Sequence, residues 1–372
     1  MTTQKKSVAG SSSRHILHKL KMLCDCGAGI GAIAGPVCAA ARQLVDGDNG
    51  GLFWLDEERR PAGFYHETPR ADLKDLFITR FDELFSGPGQ QNMLTWTETD
   101  GPSIGKALDP EVEKEFRAGN VYKYLCEPLD HHFVIDLRVE VNGIGRVLLM
   151  VWHKGQRPFT AADIETLRPV QAMLTSAFHN ERSDARWVRC GSGNAHFIAD
   201  MTGTQLLAID AEAEALLMNS HLLTQNVPML SKPRTAPAFS LILAGMLEAG
   251  APVRHEIAIA NGRILASARP TQMLDGQGGE ATNMFVSLAH EVSFDVLCIE
   301  HLAALPLSPL QMELALFGMQ GGDRADCMTR FGVSAEAMKK HSARIFDVLG
   351  VGRWLDLPQI AERIAAETAA RD

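Results

Sequence analysis

The spacing of hydrophobic and polar positions predicts three short, consecutive helices between residues 307 and 351. Ser308, Asp323 and Ser334 each precede one of these helices, where a side-chain oxygen can accept a hydrogen bond from a free backbone N–H group. Glycines, which tolerate the positive φ of a helix terminus, follow the helices at Gly321–Gly322, Gly332 and Gly350. Short helices joined by a tight, glycine-containing turn are typical of a helix-turn-helix unit.

The third predicted helix, Ala335 to Leu349, is amphipathic. At about 100° per residue, one face carries the mostly apolar set Met338, Ser342, Ile345 and Leu349, which we expect to pack against the other two helices. The opposite face and its flanks carry Glu336, Lys339, Lys340, Ala343, Arg344 and Asp347. Cations in the amino-terminal half of such a helix attract phosphates and guanine edges. The alternative is a charged face that is only solvated, as on many surface helices.

Upstream of these helices, period-two alternation and turn signals predict an α+β segment over residues 14–182, preceded by a mobile tail at residues 1–13. The segment begins with two helices that are split near Gly27–Gly31, and it ends with a long helix that starts after Phe159–Thr160. The elements expected between them are a hairpin at residues 52–66, a helix near 71–84, a loop at 87–109 and a hairpin turning at Asn142–Gly143.

A polar hinge at residues 183–193 separates this segment from a second α+β segment at residues 194–295. Its predicted elements are a hairpin at residues 196–210, a helix to Met218, a hairpin turning at Asn261–Gly262 and a strand at residues 283–289. The predicted fold class is therefore two α+β domains, each an antiparallel sheet with flanking helices, followed by an all-α helix-turn-helix domain at residues 303–372.

The composition is that of an ordinary globular protein: 372 residues, 46% hydrophobic and 22% charged, enough for two or three domains. The net charge of −9 argues against a nonspecific nucleic-acid coat and against binding to an anionic membrane. The seven cysteines are irregularly spaced and odd in number, which indicates free thiols in a reducing compartment and not a framework of disulfides. The first residues lack an apolar export signal, and the uncharged run from Gly27 to Ala41 is too short to span a bilayer. We therefore expect a cytoplasmic protein that does not enter a membrane.

The region from Leu307 to Val351 resembles the DNA-binding domain of the LuxR family of bacterial transcription regulators. The residues that match, with the family's spacing, are Leu307-Ser308-Pro309, Glu313, Gly321, Val333-Ser334, Lys339, His341, Ile345 and Leu349-Gly350-Val351. The resemblance implies that the third helix lies in the major groove of duplex DNA. The DNA contacts that it implies are Ser334, Lys339, Lys340, His341, Ala343 and Arg344.

The sequence departs from the LuxR pattern at several positions. Leu310 and Gln311 replace the usual arginine and glutamate, and Ala337 lacks the hydroxyl of the usual threonine. Residues 323–328 replace the usual polar-Asn-Lys-Glu-Ile-Ala run, and Trp354 takes the place of an arginine. From residue 301 to the end, eight lysines and arginines stand against nine aspartates and glutamates, which is a weak basic footprint. The alternative is a signal-sensing protein that acts through protein contacts, with a helix-turn-helix that no longer binds DNA.

The two upstream segments resemble sensor domains. The element order of residues 14–182, with the phrase Gln156 to Asp163 before the long helix, is similar to that of a GAF domain. Residues 194–295, in which Ile209 to Leu217 opens a helix, resemble a PAS domain. These resemblances imply a signal that is a small-molecule effector, a redox cue or a protein.

Together the resemblances imply a sequence-specific DNA-binding transcription regulator, whose GAF-like and PAS-like domains sense a signal and control the helix-turn-helix. The implied partners are double-stranded promoter DNA, a second copy of the chain in a homodimer, and RNA polymerase. Four residues of the long helix of the first segment have near-heptad spacing: Ile164, Leu167, Leu174 and Phe178. This spacing fits either a dimer seam or packing of the helix on its own sheet.

Two other motifs suggest chemistry more weakly. Gly29 to Ala34 satisfies a Gly-x-Gly-x-x-Ala string, but a dinucleotide site needs a preceding strand, and the preceding residues have a helical pattern. We expect a bent helix there, packed closely through small residues. Cys126, His131 and His132 offer metal or haem ligands, but adjacent histidines at the start of a strand point to opposite faces. No nucleophile elbow, P-loop or zincin string occurs in the sequence, and we expect neither an enzyme nor a metal site.

Overall fold

The computed structural model describes residues 3–56, 61–68, 80–85, 91–98, 100–155, 157–200, 206–220, 253–274 and 280–370. It shows two antiparallel sheets with flanking helices, followed by a helical region at the carboxyl end. The predicted fold class is therefore confirmed. In these ranges we find no helix with both the length and the apolar character needed to cross a bilayer.

The first sheet is built from β1 (Asn49–Leu55), β2 (Pro61–His66), β3 (Phe133–Val141) and β4 (Ile144–His153). The strands are antiparallel and lie in the order β2-β1-β4-β3. The helices of this part of the chain are α1 (Thr3–Asp25), α2 (Ala34–Leu44), α3 (Phe81–Phe85), α4 (Met93–Trp96), α5 (Pro110–Ala118) and α6 (Ala161–His179). Short 3-10 or π-helical turns cover Lys106–Leu108, Tyr122–Cys126 and Glu127–Leu129.

Both faces of the first sheet are covered. Ile135 and Leu137 of β3 lie in a core that includes residues of α1, α2 and α6. Val134 of the same strand lies in a second core on the opposite face, together with Trp96 and Phe116. Alternation along the strand therefore distributes side chains between two cores, and the strand shows no regular polar face.

The long helix α6 packs within its own part of the molecule. It begins at Ala161, directly after the predicted cap residue Thr160. Leu167 and Leu174 are fully buried, and the neighbouring stripe residues Ile164 and Phe178 are partly buried in the same core. Helix α6 contacts α1 and β3. Of the two alternatives for its near-heptad residues, a dimer seam or packing on its own sheet, the structure shows the packing.

The second sheet is built from β5 (Trp187–Ala199), β6 (Leu206–Ile209), β7 (Val253–Ile259), β8 (Gly262–Leu274) and β9 (Glu280–Ser293), and it carries α7 (Ala211–Asn219). The strand order is β6-β5-β9-β8-β7, again antiparallel throughout. Phe197, Leu217, Ile264 and Val286 are buried in its core. The hairpin turning at Asn261–Gly262 lies where the sequence predicted it.

Three boundaries differ from the sequence-based expectations. Helix α1 begins at Thr3, so it includes most of the segment for which we predicted a mobile tail. Strand β5 begins at Trp187, inside the predicted hinge, because the strand pairs with β9 over its first four residues as well. The predicted loop at residues 87–109 contains α4 and a 3-10 turn, and residues 71–79 of the predicted helix near 71–84 lie outside the described residues.

The carboxyl-terminal region contains α8 (Phe294–Ala303), α9 (Pro309–Met319), α10 (Arg324–Phe331), α11 (Ala335–Leu349) and α12 (Leu357–Ala369), with a 3-10 turn at Trp354–Asp356. Helices α9, α10 and α11 coincide with the three helices predicted from the sequence. Helices α8 and α12 were not predicted. Both lie against other elements, since α8 contacts α1, β9 and α9, and α12 contacts β5, α8 and α9.

The glycine-rich string between α1 and α2 receives the hairpin turn of the second sheet. The Asn261 backbone N–H donates to the Gly31 carbonyl at 2.8 Å, and the Gly35 N–H donates to Asn261 Oδ1 at 2.7 Å. A side chain at either glycine would collide with this turn, because an added Cβ would lie 2.9 Å from the Ile259 carbonyl oxygen or 2.5 Å from Asn261 Oδ1. The glycines thus allow a close contact between the α1–α2 region and the second sheet. The element before the string is helix α1, as expected, and not the strand that a dinucleotide site needs.

Candidate nucleic-acid interface

Helix α9 opens with a reciprocal cap. Gln311 Oε1 accepts a hydrogen bond from the Ser308 N–H at 2.8 Å, and Ser308 Oγ accepts one from the Gln311 N–H at 3.4 Å. Glutamine therefore forms the capping box that a glutamate forms at this position, and this departure from the LuxR pattern leaves the local fold intact. The neighbouring helix α10 is capped by Asp323 Oδ1, which accepts from the Ala325 N–H at 2.6 Å.

Helix α11 is called the reading helix below, after the role that the LuxR resemblance implies for it, and it has the boundaries that its sequence predicts. Ser334 Oγ accepts a hydrogen bond from the Ala337 N–H at 3.3 Å and so caps the first turn. Gly332 and Gly350, at either end, have φ of 62° and 68°, which side chains other than glycine rarely adopt. These residues fix both the start and the end of the reading helix.

The apolar face of the reading helix is buried. Met338, Ser342, Ile345 and Leu349 are its buried residues, and they are the four that the helical wheel places on one face. Met338 and Ile345 are fully enclosed in a core that also holds Met312 of α9 and Cys327 of α10. The helix is therefore held by the two helices before it, as helix-turn-helix geometry requires.

The opposite face of the reading helix is open to solvent. Lys339, Lys340, Ala343 and Arg344 are exposed, while His341 is half-buried. Carboxylates of the same helix accompany two of the cations: Lys340 Nζ lies 3.5 Å from Glu336 Oε1, and Arg344 Nη1 lies 2.9 Å from Asp347 Oδ2. Within the described part of the chain, no carboxylate lies within ion-pair distance of Lys339. The six residues predicted to contact DNA thus lie on one short helix and its cap.

Trp354, which replaces an arginine of the LuxR pattern, has a structural role. Its indole Nε1–H donates to the Gly322 carbonyl at 2.8 Å, and its ring packs over Gly318, where an added Cβ would lie 3.0 Å away. The residue is buried, so it joins the end of α9 to the turn after the reading helix. The neighbouring Arg353 is exposed and pairs with Asp356 at 3.0 Å.

Helix α8 joins the helices α9, α10 and α11 (together the reading unit) to the rest of the chain through Asp295. Asp295 Oδ2 accepts from Arg182, which follows α6, at 3.2 Å, and Oδ1 accepts from the Gln320 side chain at the end of α9 at 2.9 Å. Arg182 also donates to the Cys26 carbonyl at 2.8 Å. One buried carboxylate therefore connects the end of α1, the residues after α6 and the first helix of the reading unit.

Helix α1 makes a second set of contacts with the carboxyl-terminal helices. Lys19 Nζ lies 2.7 Å from a carboxylate oxygen of Glu300, and His18 Nε2 lies 3.6 Å from Glu313 Oε1. Burial lowers the pKa of His18, while the nearby Glu313 carboxylate opposes that shift. His15 contacts the Ala303 carbonyl at 3.1 Å. None of these contacts was predicted from the sequence.

The histidines considered as metal ligands lie in different surroundings. His131 is buried, with 2% of its surface exposed, and its ring stacks on Trp152 at a centroid distance of 4.9 Å. Its Nε2 lies 3.2 Å from the amide nitrogen of Asn49. His132 turns away and pairs with Asp130 at 2.7 Å. In the ranges that the structure covers, no group of three histidine, cysteine or acidic residues could hold a metal ion.

Burial lowers the pKa of His131 from 6.5 to about 3, so this ring is neutral in the folded protein at ordinary pH. Because the unfolded chain takes up a proton near pH 6.5, the contribution of His131 to stability is complete above that pH and is lost as the pH falls towards 3. We expect His131→Gln to reduce the acid-induced loss of unfolding free energy between about pH 6.5 and 4.5 by roughly 2 kcal/mol. Urea denaturation over a pH series measures this loss. His132→Gln is the matched control, and an unchanged pH dependence in His131→Gln would contradict the prediction.

Twenty chains of solved structures match this chain, and the three described here have low similarity to it. A complex of phage VqmA with DPO is 17% identical, covers 46% of this chain and 84% of its own, and has a TM-score of 0.21. The sensor region of a sensor histidine kinase is 10% identical, covers 76% and 92%, and has a TM-score of 0.20. The DhaR(N)–DhaL complex of E. coli is 12% identical, covers 78% and 90%, and has a TM-score of 0.17. Neither a family model nor a curated protein matches the chain.

Proposed function

We propose that this protein is a sequence-specific DNA-binding transcription regulator, in which the two α+β parts sense a signal and control the reading unit. The observation that supports this proposal is the reading helix itself. Its apolar face is buried on α9 and α10, and its opposite face presents Lys339, Lys340 and Arg344 to solvent. The protein acts in this proposal as a regulator and not as an enzyme.

In the proposed complex, the amino-terminal half of the reading helix enters the major groove. Lys339, Lys340 and Arg344 bind phosphates or guanine edges, and Ala343 leaves room for a base or contacts a thymine methyl group. Ser334 holds the first turn through its cap, and we expect its hydroxyl to contact the duplex backbone. His341 is half-buried, so it contributes through its exposed edge.

The pairing of Lys340 and Arg344 with carboxylates does not prevent DNA binding. Both pairs are exposed, and such pairs contribute only about 0.2–1 kcal/mol in water. A phosphate that replaces the carboxylate restores the interaction and also releases counterions. We therefore expect binding that depends steeply on salt, at a moderate affinity, through two reading helices of a homodimer.

The sensing role is part of the same proposal. An open groove with a volume of about 380 Å³ lies beside the first sheet, and the residues that line it include Leu55, Phe85, Asn92 and Thr97. This volume is within the range of small-molecule sites. A small-molecule effector that binds there would act on the carboxyl-terminal helices through the first sheet, whose other face packs in the core that includes α1.

The test of this proposal is DNA occupancy by the full chain. We expect genome-wide binding measurements to give discrete sites, and mobility shifts on those sites to weaken by more than about tenfold between 50 and 200 mM salt. Promoter-proximal sites with two half-sites about one helical turn apart would match a dimer with two reading helices. The absence of any sequence-selective duplex binding would contradict the proposal.

The second candidate function is a sensor that acts through protein contacts. The carboxylates beside Lys340 and Arg344 favour it, and so does Leu355, a large apolar residue with 77% of its surface exposed on the turn between the reading helix and α12. In that case the full chain occupies no DNA, and Leu355→Ser abolishes its regulatory effect. The two candidates therefore give opposite results in the same occupancy measurement.

A further inference from the structure

We infer that Glu336 determines base specificity: its carboxylate accepts a hydrogen bond from the exocyclic amine of a cytosine in the major groove and disfavours sites that lack one. This inference rests on the proposed function, since it assigns a partner chemistry to one residue of the reading helix. Glu336 was placed on the outer face by the sequence but was not among the predicted DNA contacts.

The position of Glu336 fits a base contact. It is the second residue of the reading helix, beyond the cap residue Ser334, and the amino-terminal residues of such a helix are those that reach base edges. Its side chain is 84% exposed and lies on the same side as Lys340, which is 78% exposed. The carboxylate is therefore accessible to a duplex, and its pair with Lys340 is equally exposed.

The chemistry of the group selects one base. An ionised carboxylate only accepts hydrogen bonds, and cytosine is the base whose major-groove edge offers a donor without an adjacent acceptor on the same ring. Adenine also offers a donor, but beside its N7 acceptor, which repels a second carboxylate oxygen. Where no donor lies opposite and a phosphate has taken Lys340, as proposed above, the carboxylate is left among phosphates without a partner. Glu336 therefore acts against wrong sites as well as for the right one.

A purely structural role for Glu336 makes a different prediction. An acidic residue in the first turn stabilises a helix through its dipole, and the Glu336–Lys340 pair has the favourable i,i+4 order. Both effects change the stability of the helix slightly, and neither changes which base is preferred. Base preference therefore separates the two roles.

The experiment is selection of bound sequences from a random duplex library by the full chain, with wild type, Glu336→Gln, Glu336→Asp and Glu367→Gln in parallel. Glutamine is the informative substitution, because its amide pairs with adenine N6 and N7. Glu367→Gln is the matched control, since it removes one charge from a glutamate of α12 that is also paired at i,i+4 spacing, with Arg363.

We expect wild type to select cytosine at one position of each half-site by at least about fivefold over other bases. Glu336→Gln should move the preference to adenine and raise affinity for unselected duplex by about three- to tenfold at 100 mM salt. Glu336→Asp should keep a weaker cytosine preference, and Glu367→Gln should select the wild-type sequence. The melting temperature of each variant shows whether the helix is intact.

The outcomes separate this inference from the proposed function. If wild type selects sequences but Glu336→Gln and Glu336→Asp select the same ones, Glu336 is not a base contact, and the proposed function stands. If wild type selects no sequence, both proposals are overturned. If Glu336→Gln is unstable, the cytosine preference of Glu336→Asp, weakened or unchanged, decides the question.

Discussion

Alanine at Lys339, Lys340 and Arg344 together is expected to weaken binding to a selected duplex by about a hundredfold or more near 150 mM salt. These three side chains are the exposed cations of the reading helix, and the helix presents no other cation to a duplex. Each phosphate contact that is lost should lower the slope of log K against log salt by about 0.9. Lys340→Ala alone should lower it by about one unit and weaken binding similarly on all sequences.

The measurement is equilibrium binding by mobility shift or anisotropy over a salt series, with the melting temperature as a check on folding. Arg363→Ala provides the control, because Arg363 is an exposed, paired cation on α12. The triple variant should keep the wild-type melting temperature, since none of its three side chains is buried. Wild-type affinity in the triple variant would show that the reading helix is wrongly assigned.

Met338→Ala is expected to remove DNA binding by a different route. Met338 has no exposed surface and lies in the core that also holds Met312 of α9 and Cys327 of α10, so the substitution leaves a cavity under the reading helix. Such substitutions cost about 2–5 kcal/mol of unfolding free energy. The reading helix would then lose its fixed position at 37 °C, although no group that faces DNA has changed.

Urea denaturation with parallel binding measurements checks this prediction. Met328→Ala is the matched control, because Met328 lies on α10 and is only half-buried, so its removal should cost less. Cooling or an osmolyte should restore part of the affinity of Met338→Ala, since the DNA-facing residues are intact. A loss of affinity without a loss of stability would mean that Met338 contacts the duplex and that the helix faces the other way.

Local signals made the reading unit predictable from the sequence. Cap residues and glycines fixed the boundaries of three helices, and Ser334 and Gly350 lie directly outside the observed reading helix. The 3.6-residue period identified its buried face because that helix is buried on one side only. The i,i+4 spacing of Glu336 and Lys340 also made their pairing foreseeable, although it was not predicted.

Helix α8 was not predicted because it is buried on several sides and so lacks the regular alternation of apolar and polar faces. Six of its ten residues are buried, on several sides, by α1, β9, α9 and α12, so no polar face marks it as a helix. Its cap residue Ser293 was the available signal, and its side chain accepts from the Val296 N–H at 3.4 Å. Asp295, the carboxylate that connects three parts of the chain, lies within this unpredicted helix.

The contacts of α1 could not be predicted, because they join residues that are far apart in the sequence. His18 and Glu313 are brought together by the packing of whole helices, and neither residue has a local signal for the other. The role of Trp354 could not be predicted for the same reason, because its indole donates a hydrogen bond to Gly322, 32 residues earlier in the sequence. The Gly29–Ala34 string matched a dinucleotide motif, but Gly31 serves a contact with the second sheet, and Gly29 lies against Glu181.

Helix α1 has a mechanical consequence for the whole molecule. It contacts the carboxyl-terminal helices through Lys19 and His18. After it, Gly31 of the following turn and Gly35 of α2 form hydrogen bonds with Asn261 of the second sheet. A helix is stiff along its axis, and close-packed interiors do not absorb small shifts. We therefore expect a small displacement of either sheet to be transmitted through α1 to the carboxyl-terminal helices. These helices are coupled to the sheets and do not move independently on a flexible linker.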